Sequence, residues 1–190
     1  MFDDLDNFVK APYPIDTVWK LIQEHFSIET RLDLLPHCYA KFDKPFFASL
    51  CKKLSHAAEQ GDALSKYLFH EAGAHMANHI VALTPKVHDD LVKEGDLTVV
   101  CVGSVWLSWP LLKDGFIQTL QKAHIPFGLK LIRITKCMAY GACYLGADSI
   151  KFPLPRNYEH NYKVMYHYDK CCHTNGNVTS NGNHTPNASN

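Results

Sequence analysis

The chain has 190 residues, 46% of them hydrophobic, and its 19 basic and 19 acidic side chains leave no formal net charge. That length and content support one domain with a real core, and the zero balance gives no sign of a nucleic-acid or anionic-membrane surface. Seven scattered cysteines, an odd number without paired spacing, suit reduced thiols; no stretch reaches membrane-span length, Asp3, Asp4 and Asp6 beside Met1 do not make a signal peptide, and the expected location is cytoplasmic.

Pro12 and Pro14 separate a short acidic-then-apolar opening from the first helix. Asp16 is placed to cap that helix, with Val18, Trp19, Leu21, Ile22 and Phe26 on its inner side. Ser27 is placed to cap a second, short helix through Leu32 and Leu35. Pro45 sits well in the first turn of a third, whose stripe is Phe46, Phe47, Leu50, Cys51, Leu54 and Ala58 and whose stop is Gly61. Asp62 then caps a longer helix to about Leu83, with Leu64, Leu68, Ala72, Met76, Ile80 and Leu83 facing inward. The last two read as an antiparallel pair.

The long helix carries His70, Glu71, His75 and His79. A zinc-protease pattern needs histidines four apart with the glutamate directly after the first, so that both rings share a face. His70 and His75 are five apart and diverge, and His75 with His79 has no clear third ligand, so these residues read as solvent-facing or capping and the metal expectation is none.

Residues 84 to 96 form a surface connection into the most informative stretch. Leu97 to Val102 is an unbroken, β-branched apolar run, which reads as a strand buried on both faces. Gly103 and Ser104 end it, and Val105, Trp106, Trp109, Leu112, Phe116, Ile117 and Leu120 then fall on one helical stripe. Glycine admits a ligand or backbone without a Cβ in the way, Ser104 is placed to cap the helix, and the N–H groups of its first turn favour a polar or anionic group. Ser108, one helical turn on, would present its hydroxyl to the same side. The same residues also read as a tight strand-to-helix connection and nothing more.

Leu129 to Thr135 alternates apolar residues with Lys and Arg, a second strand nearer the edge of the sheet. Cys137 to Ile150 predicts a helix rich in small residues. Each glycine costs such a helix roughly 1 kcal/mol relative to alanine, so Gly141 and Gly146 imply close packing on a sheet or neighbouring helix. After Pro153 and Pro155, Tyr158 to Tyr168 reads as an aromatic-rich last helix. Residues 169 to 190 make a polar tail, expected to be disordered from residue 171 on. Its acceptor triplets at Asn177, Asn183 and Asn187 read as chance in an Asn- and Thr-rich stretch, and Cys171-Cys172-His173 is a weak metal signal.

Several segments carry a resemblance. The run Cys-Val-Gly-Ser-Val-Trp-Leu-Ser-Trp-Pro-Leu-Leu-Lys-Asp-Gly-Phe at 101 to 116 closely resembles the adenosine-binding segment of the animal N-acetyl-D-glucosamine kinase family, in the BadF/BadG/BcrA/BcrD branch of the actin-like ATPase and sugar-kinase superfamily. Phe-Ala-Ser-Leu-Cys-Lys-Lys at 47 to 53, Gln-Gly-Asp-Ala-Leu-Ser-Lys-Tyr-Leu-Phe at 60 to 69 and Gly-Ala-Cys-Tyr-Leu-Gly-Ala at 141 to 147 are similar in the same order. Together they cover about residues 2 to 168. The resemblance implies an α/β fold, the helix-rich C-terminal lobe of the actin-like ATPase with a small sheet and without its N-terminal lobe. It implies ATP or ADP held at its adenosine part by Ala48, Gly103, Ser104 and Ser108, homodimers, and Mg²⁺ bound outside these residues.

Phosphoryl transfer needs a site for the β- and γ-phosphates and magnesium and a carboxylate for the acceptor oxygen. In the resembled family those parts and the sugar site precede the matched segments, and Gly61-Asp62 and Gly95-Asp96 match neither phosphate loop. Two readings follow. One is the nucleotide-binding lobe of an N-acetylglucosamine kinase, inactive alone, that meets the sugar only when the missing lobe is supplied. The other is a non-catalytic nucleotide-binding or interaction module. The first predicts an exposed apolar face where the rest of the sheet and the other lobe would pack.

Overall fold

The computed structural model describes residues 6–8 and 10–170, so the expectations for residues 171–190 lie outside the described residues. Helix α1, Asp16–Phe26, buries Val18 and Phe26 and half-buries Trp19. Asp16 lies in its first turn; the N-cap is Ile15, with no side-chain bond. Ser27, at φ 55°, closes α1 instead of starting the next helix. The turn Arg31–Leu34 and the short helix α2, Leu35–Cys38, start from Thr30, whose amide and hydroxyl both donate to the Asp33 carboxylate at 2.7 and 2.9 Å.

The next two helices begin where Pro45 and Asp62 predict. In α3, Lys44–Glu59, the Asp43 carboxylate accepts the Phe46 amide at 2.9 Å, with Pro45 in the first turn. In α4, Ala63–Leu83, Asp62 accepts the Ser65 amide at 2.7 Å, just after Gly61 at φ 106°.

The buried face of α4 differs from the apolar stripe. Leu64, Ser65, Phe69, Gly73 and Ala77 are buried, whereas Leu68 and Leu83 are exposed. The cause is its crossing with α5, Trp109–Ala123. A Cβ on Gly73 would collide with the Leu112 carbonyl, and one on Gly115 with the His70 carbonyl. Two backbones touch there, which turns the small residues inward and rotates two leucines out. Ala58, Phe69 and Leu112 join α3 to this crossing.

A three-stranded mixed sheet lies beside the helices: β1, Asp96–Val100, β2, Gly128–Ile134, and β3, Tyr162–Tyr168, in that order. β1 runs parallel to β2, pairing Asp96 with Gly128 through Val100 with Ile132. β2 is antiparallel to β3, and a register shift after Leu131 leaves Met165 as a bulge. Leu129, Leu131, Phe116, Leu120 and Tyr168 share the main core with Ala77. The architecture is therefore α/β, helix-rich, with a small mixed sheet.

Three expectations need correction here. The Leu97–Val102 run is not buried on both faces: its strand ends at Val100, it forms an edge of this sheet, and Val100 and Val102 are 50% and 75% exposed. The Lys- and Arg-interleaved strand, expected near the edge, is the middle one, with Leu129 and Leu131 fully buried. Hydrophobicity records what a strand is suited to touch, whereas its position depends on which strands pair. The last segment is a strand, not a helix. Its Tyr and Val residues suit a pleated surface, and the bulge at Met165 interrupts the alternation that would have signalled it.

The helix α6, Ala139–Ser149, forms as expected but does not pack closely. Only Ala147 is buried, and space within 4 Å of a Cβ on Gly141 or Gly146 is empty. It is tied down from beyond its own end, by the Arg156–Asp148 ion pair and the Tyr144–Tyr158 ring contact.

Candidate functional site

The parallel strands β1 and β2 end at the same side of the sheet, and crevices for ligands form beyond the carboxyl ends of such strands. Here Gly103 lies beyond β1, and Lys136 lies beyond β2. Gly103 adopts φ 103°, ψ 164°, with open space where a Cβ would stand, so its backbone conformation rather than crowding requires glycine. The chain then turns into a 3-10 helix, Ser104–Ser108, before α5 begins at Trp109 with Pro110 in its first turn.

That 3-10 turn corrects the expected geometry of the serines. With three residues per turn, positions three apart share a face, so Ser104 aligns with Leu107 and not with Ser108. Ser104 and Leu107 line a cavity of about 370 Å³ with Gly103, whereas Ser108 does not line it. Neither hydroxyl makes a helix-capping hydrogen bond, so the expected capping role of Ser104 is not seen.

The opposite wall of this cavity comes from Arg133, Ile134, Lys136 and Met138. Lys136 Nζ also sits 5.9 Å from the Tyr140 ring centroid. Cys101 lies at the base, buried, and burial pushes its thiol up to about 11, so it stays protonated at neutral pH and serves as apolar wall. Val102, Leu107, Ile134 and Met138, which also line this cavity, are all exposed.

Ala48 lines a second cavity, of about 270 Å³, between α3 and α4, with Phe47, Cys51, Phe69 and Ala72. Val105 closes one side of it. The two cavities thus flank the same 3-10 turn, one apolar and one bearing two cations. The structure places Ala48 and Gly103-Ser104 in two different cavities that both border that turn and leaves Ser108 out of both linings.

Neither cavity fits magnesium, which takes oxygen ligands, most often carboxylates: among the described residues no Asp or Glu lines either one. Among the described residues no group of three or more His, Cys, Asp or Glu side chains is arranged so that it could hold a metal ion. His70 lies instead 3.4 Å from both Glu71 and Gln118.

Arg133 and Lys136 are the residues that sequence reasoning missed. They read as the polar alternation of a strand, and only the parallel pairing of β1 with β2 sets them opposite Gly103. No protein-family model matches the chain. No described helix is long and apolar enough to cross a membrane.

Proposed function

We propose that this chain is the nucleotide-binding lobe of a cytoplasmic sugar kinase of the N-acetylglucosamine kinase type, in the actin-like ATPase class. In this reading Gly103, Ser104 and the Ala48 cavity hold the adenosine part of ATP or ADP. The observation that carries it is Gly103 at positive φ, at the carboxyl end of β1, opening a cavity whose far wall holds Arg133 and Lys136. The apolar Ala48 cavity across the turn suits a base, and the two cations suit a phosphate chain. The exposed Val100 on an edge strand, with the exposed Val102 just beyond it, accords with a sheet that continues in another lobe.

Transfer chemistry is assigned elsewhere, because the cavity walls are apolar and cationic and a phosphoryl acceptor needs a carboxylate beside it. The same observation favours, as a second reading, a module that binds nucleotide without reacting. Calorimetry of ADP against the full chain and against Gly103→Leu tests the shared premise. Saturable binding that vanishes in a folded variant supports the pocket; no binding by folded wild type overturns it. ATP-dependent phosphorylation of N-acetyl-D-glucosamine by the chain alone would overturn the inactive-lobe assignment.

A further inference from the structure

Arg133 of β2 and Lys163 of β3 are direct cross-strand partners. Both side chains line a separate cavity of about 300 Å³, whose other wall holds Trp106 and Trp109, ring centroids 6.0 Å apart. Like charges directly opposite on a sheet repel. Among the described residues no carboxylate lines this cavity and neither cation has an ion-pair partner. Arg133 borders the Gly103 cavity as well, where Lys136 adds a third cation.

We infer that Arg133 and Lys163 form an anion site over the Trp106 and Trp109 rings that takes a small phosphate ester with a flat apolar body. A phosphate between the two cations replaces their repulsion with two charge-assisted hydrogen bonds. The indoles supply apolar area and ring faces for the ester's organic part. Guanidinium geometry suits a phosphate better than a single-atom anion, because two parallel N–H groups meet two oxygens. The cavity lies on the sheet side of the 3-10 turn and uses neither Gly103 nor Ala48.

Phenyl phosphate is the probe, added to the full chain at low ionic strength and followed by the indole N–H signals of Trp19, Trp106 and Trp109. The expected result is saturable movement of the Trp106 and Trp109 signals with Trp19 unmoved. Phenol, lacking the phosphate, should leave all three in place. Lys163→Glu should bind at least about tenfold more weakly, since a charge-assisted bond is lost and a repulsion added. The same variant should melt at a higher temperature than wild type, because Arg133 gains a cross-strand partner. That rise separates loss of the site from loss of the fold. Lys163→Gln should weaken binding in the same direction by less.

Equal shifts at all three tryptophans, equal binding of phenol, or unchanged affinity in Lys163→Glu would each overturn the site. The probe carries no nucleoside, so its failure would leave the adenosine reading standing, and failure of ADP to bind would leave this site standing.

Discussion

The α4–α5 crossing and the helix α6 each hold two glycines and use them in opposite ways. At the crossing, Gly73 and Gly115 are buried and each backbone receives the carbonyl of the other helix. On α6, Gly141 and Gly146 are exposed with nothing near them, and Met138, Tyr140, Leu145 and Ile150 around them are exposed too. A small residue in a helix marks a close approach only where a second backbone arrives. Composition alone cannot tell the two cases apart.

Alanine substituted at each glycine puts that contrast to the test. Gly115→Ala and Gly73→Ala should each lower unfolding free energy by about 2–3 kcal/mol, since backbone atoms cannot swing aside. The double variant should lose less than the sum, because both changes push the same helices apart. Denaturant melts give the values, and losses under about 0.5 kcal/mol would show that the helices are not in backbone contact.

Gly103 stands between the two cases, with open space but a positive φ. Gly103→Leu should therefore cost about 1–2 kcal/mol from backbone conformation alone, measured by the same melts, in addition to abolishing ADP binding. A Leu variant as stable as wild type would mean the turn relaxes freely.

On α6 the sign reverses. Gly141→Ala and Gly146→Ala should each raise stability by about 0.5–1 kcal/mol, through helix propensity and a less flexible unfolded chain. If either destabilises instead, α6 is packed against a surface after all, as its composition first implied.

The smallest effect belongs to the other end of the sheet, where His167 on β3 reaches Asp96 of β1 at 2.5 Å and Asp169 at 3.2 Å. The hydrogen bond to the Asp96 carboxylate, with the nearby charges of Asp96 and Asp169, raises the His167 pKa against partial desolvation, while Lys130 opposes. A raised folded-state value places this contribution fully below the ordinary histidine value, about 6.5, and removes it as pH rises through the folded value. The thermal midpoint of wild type should therefore exceed that of His167→Gln at about pH 5.5 and approach it by about pH 9. A gap that widens with pH would contradict the assignment.

How much was legible follows the range of the forces. The starts of α3 and α4 were readable because Pro45 suits a first turn and Asp62 bonds an amide three residues away; the Asp43 cap on α3 was not read. The Ser27 and Ser104 caps failed because the following turns chose other geometry: a left-handed residue in one case and a 3-10 helix in the other. Gly103 was recognisable from its place after an apolar run, and its positive φ is a local property. Arg133 and Lys136 were not, because nothing in their own segment says that β2 ends beside Gly103. Neither was the β3 strand, whose bulge hides its alternation.

Legible in the residues alone were a helix-rich α/β chain, the Pro45 start of α3, the Asp62-capped start of α4, and the glycine turn after β1. These depend on hydrogen bonds and dihedral preferences within a few residues. Only the tertiary structure decided that the apolar strand is an edge and the charged one the centre, that Gly73 and Gly115 are the contact between helices, and that three cations gather around the Ser104–Ser108 turn. Each of these depends on pairing between segments distant in the chain, where the outcome is set by which backbone arrives opposite and not by either segment's own pattern.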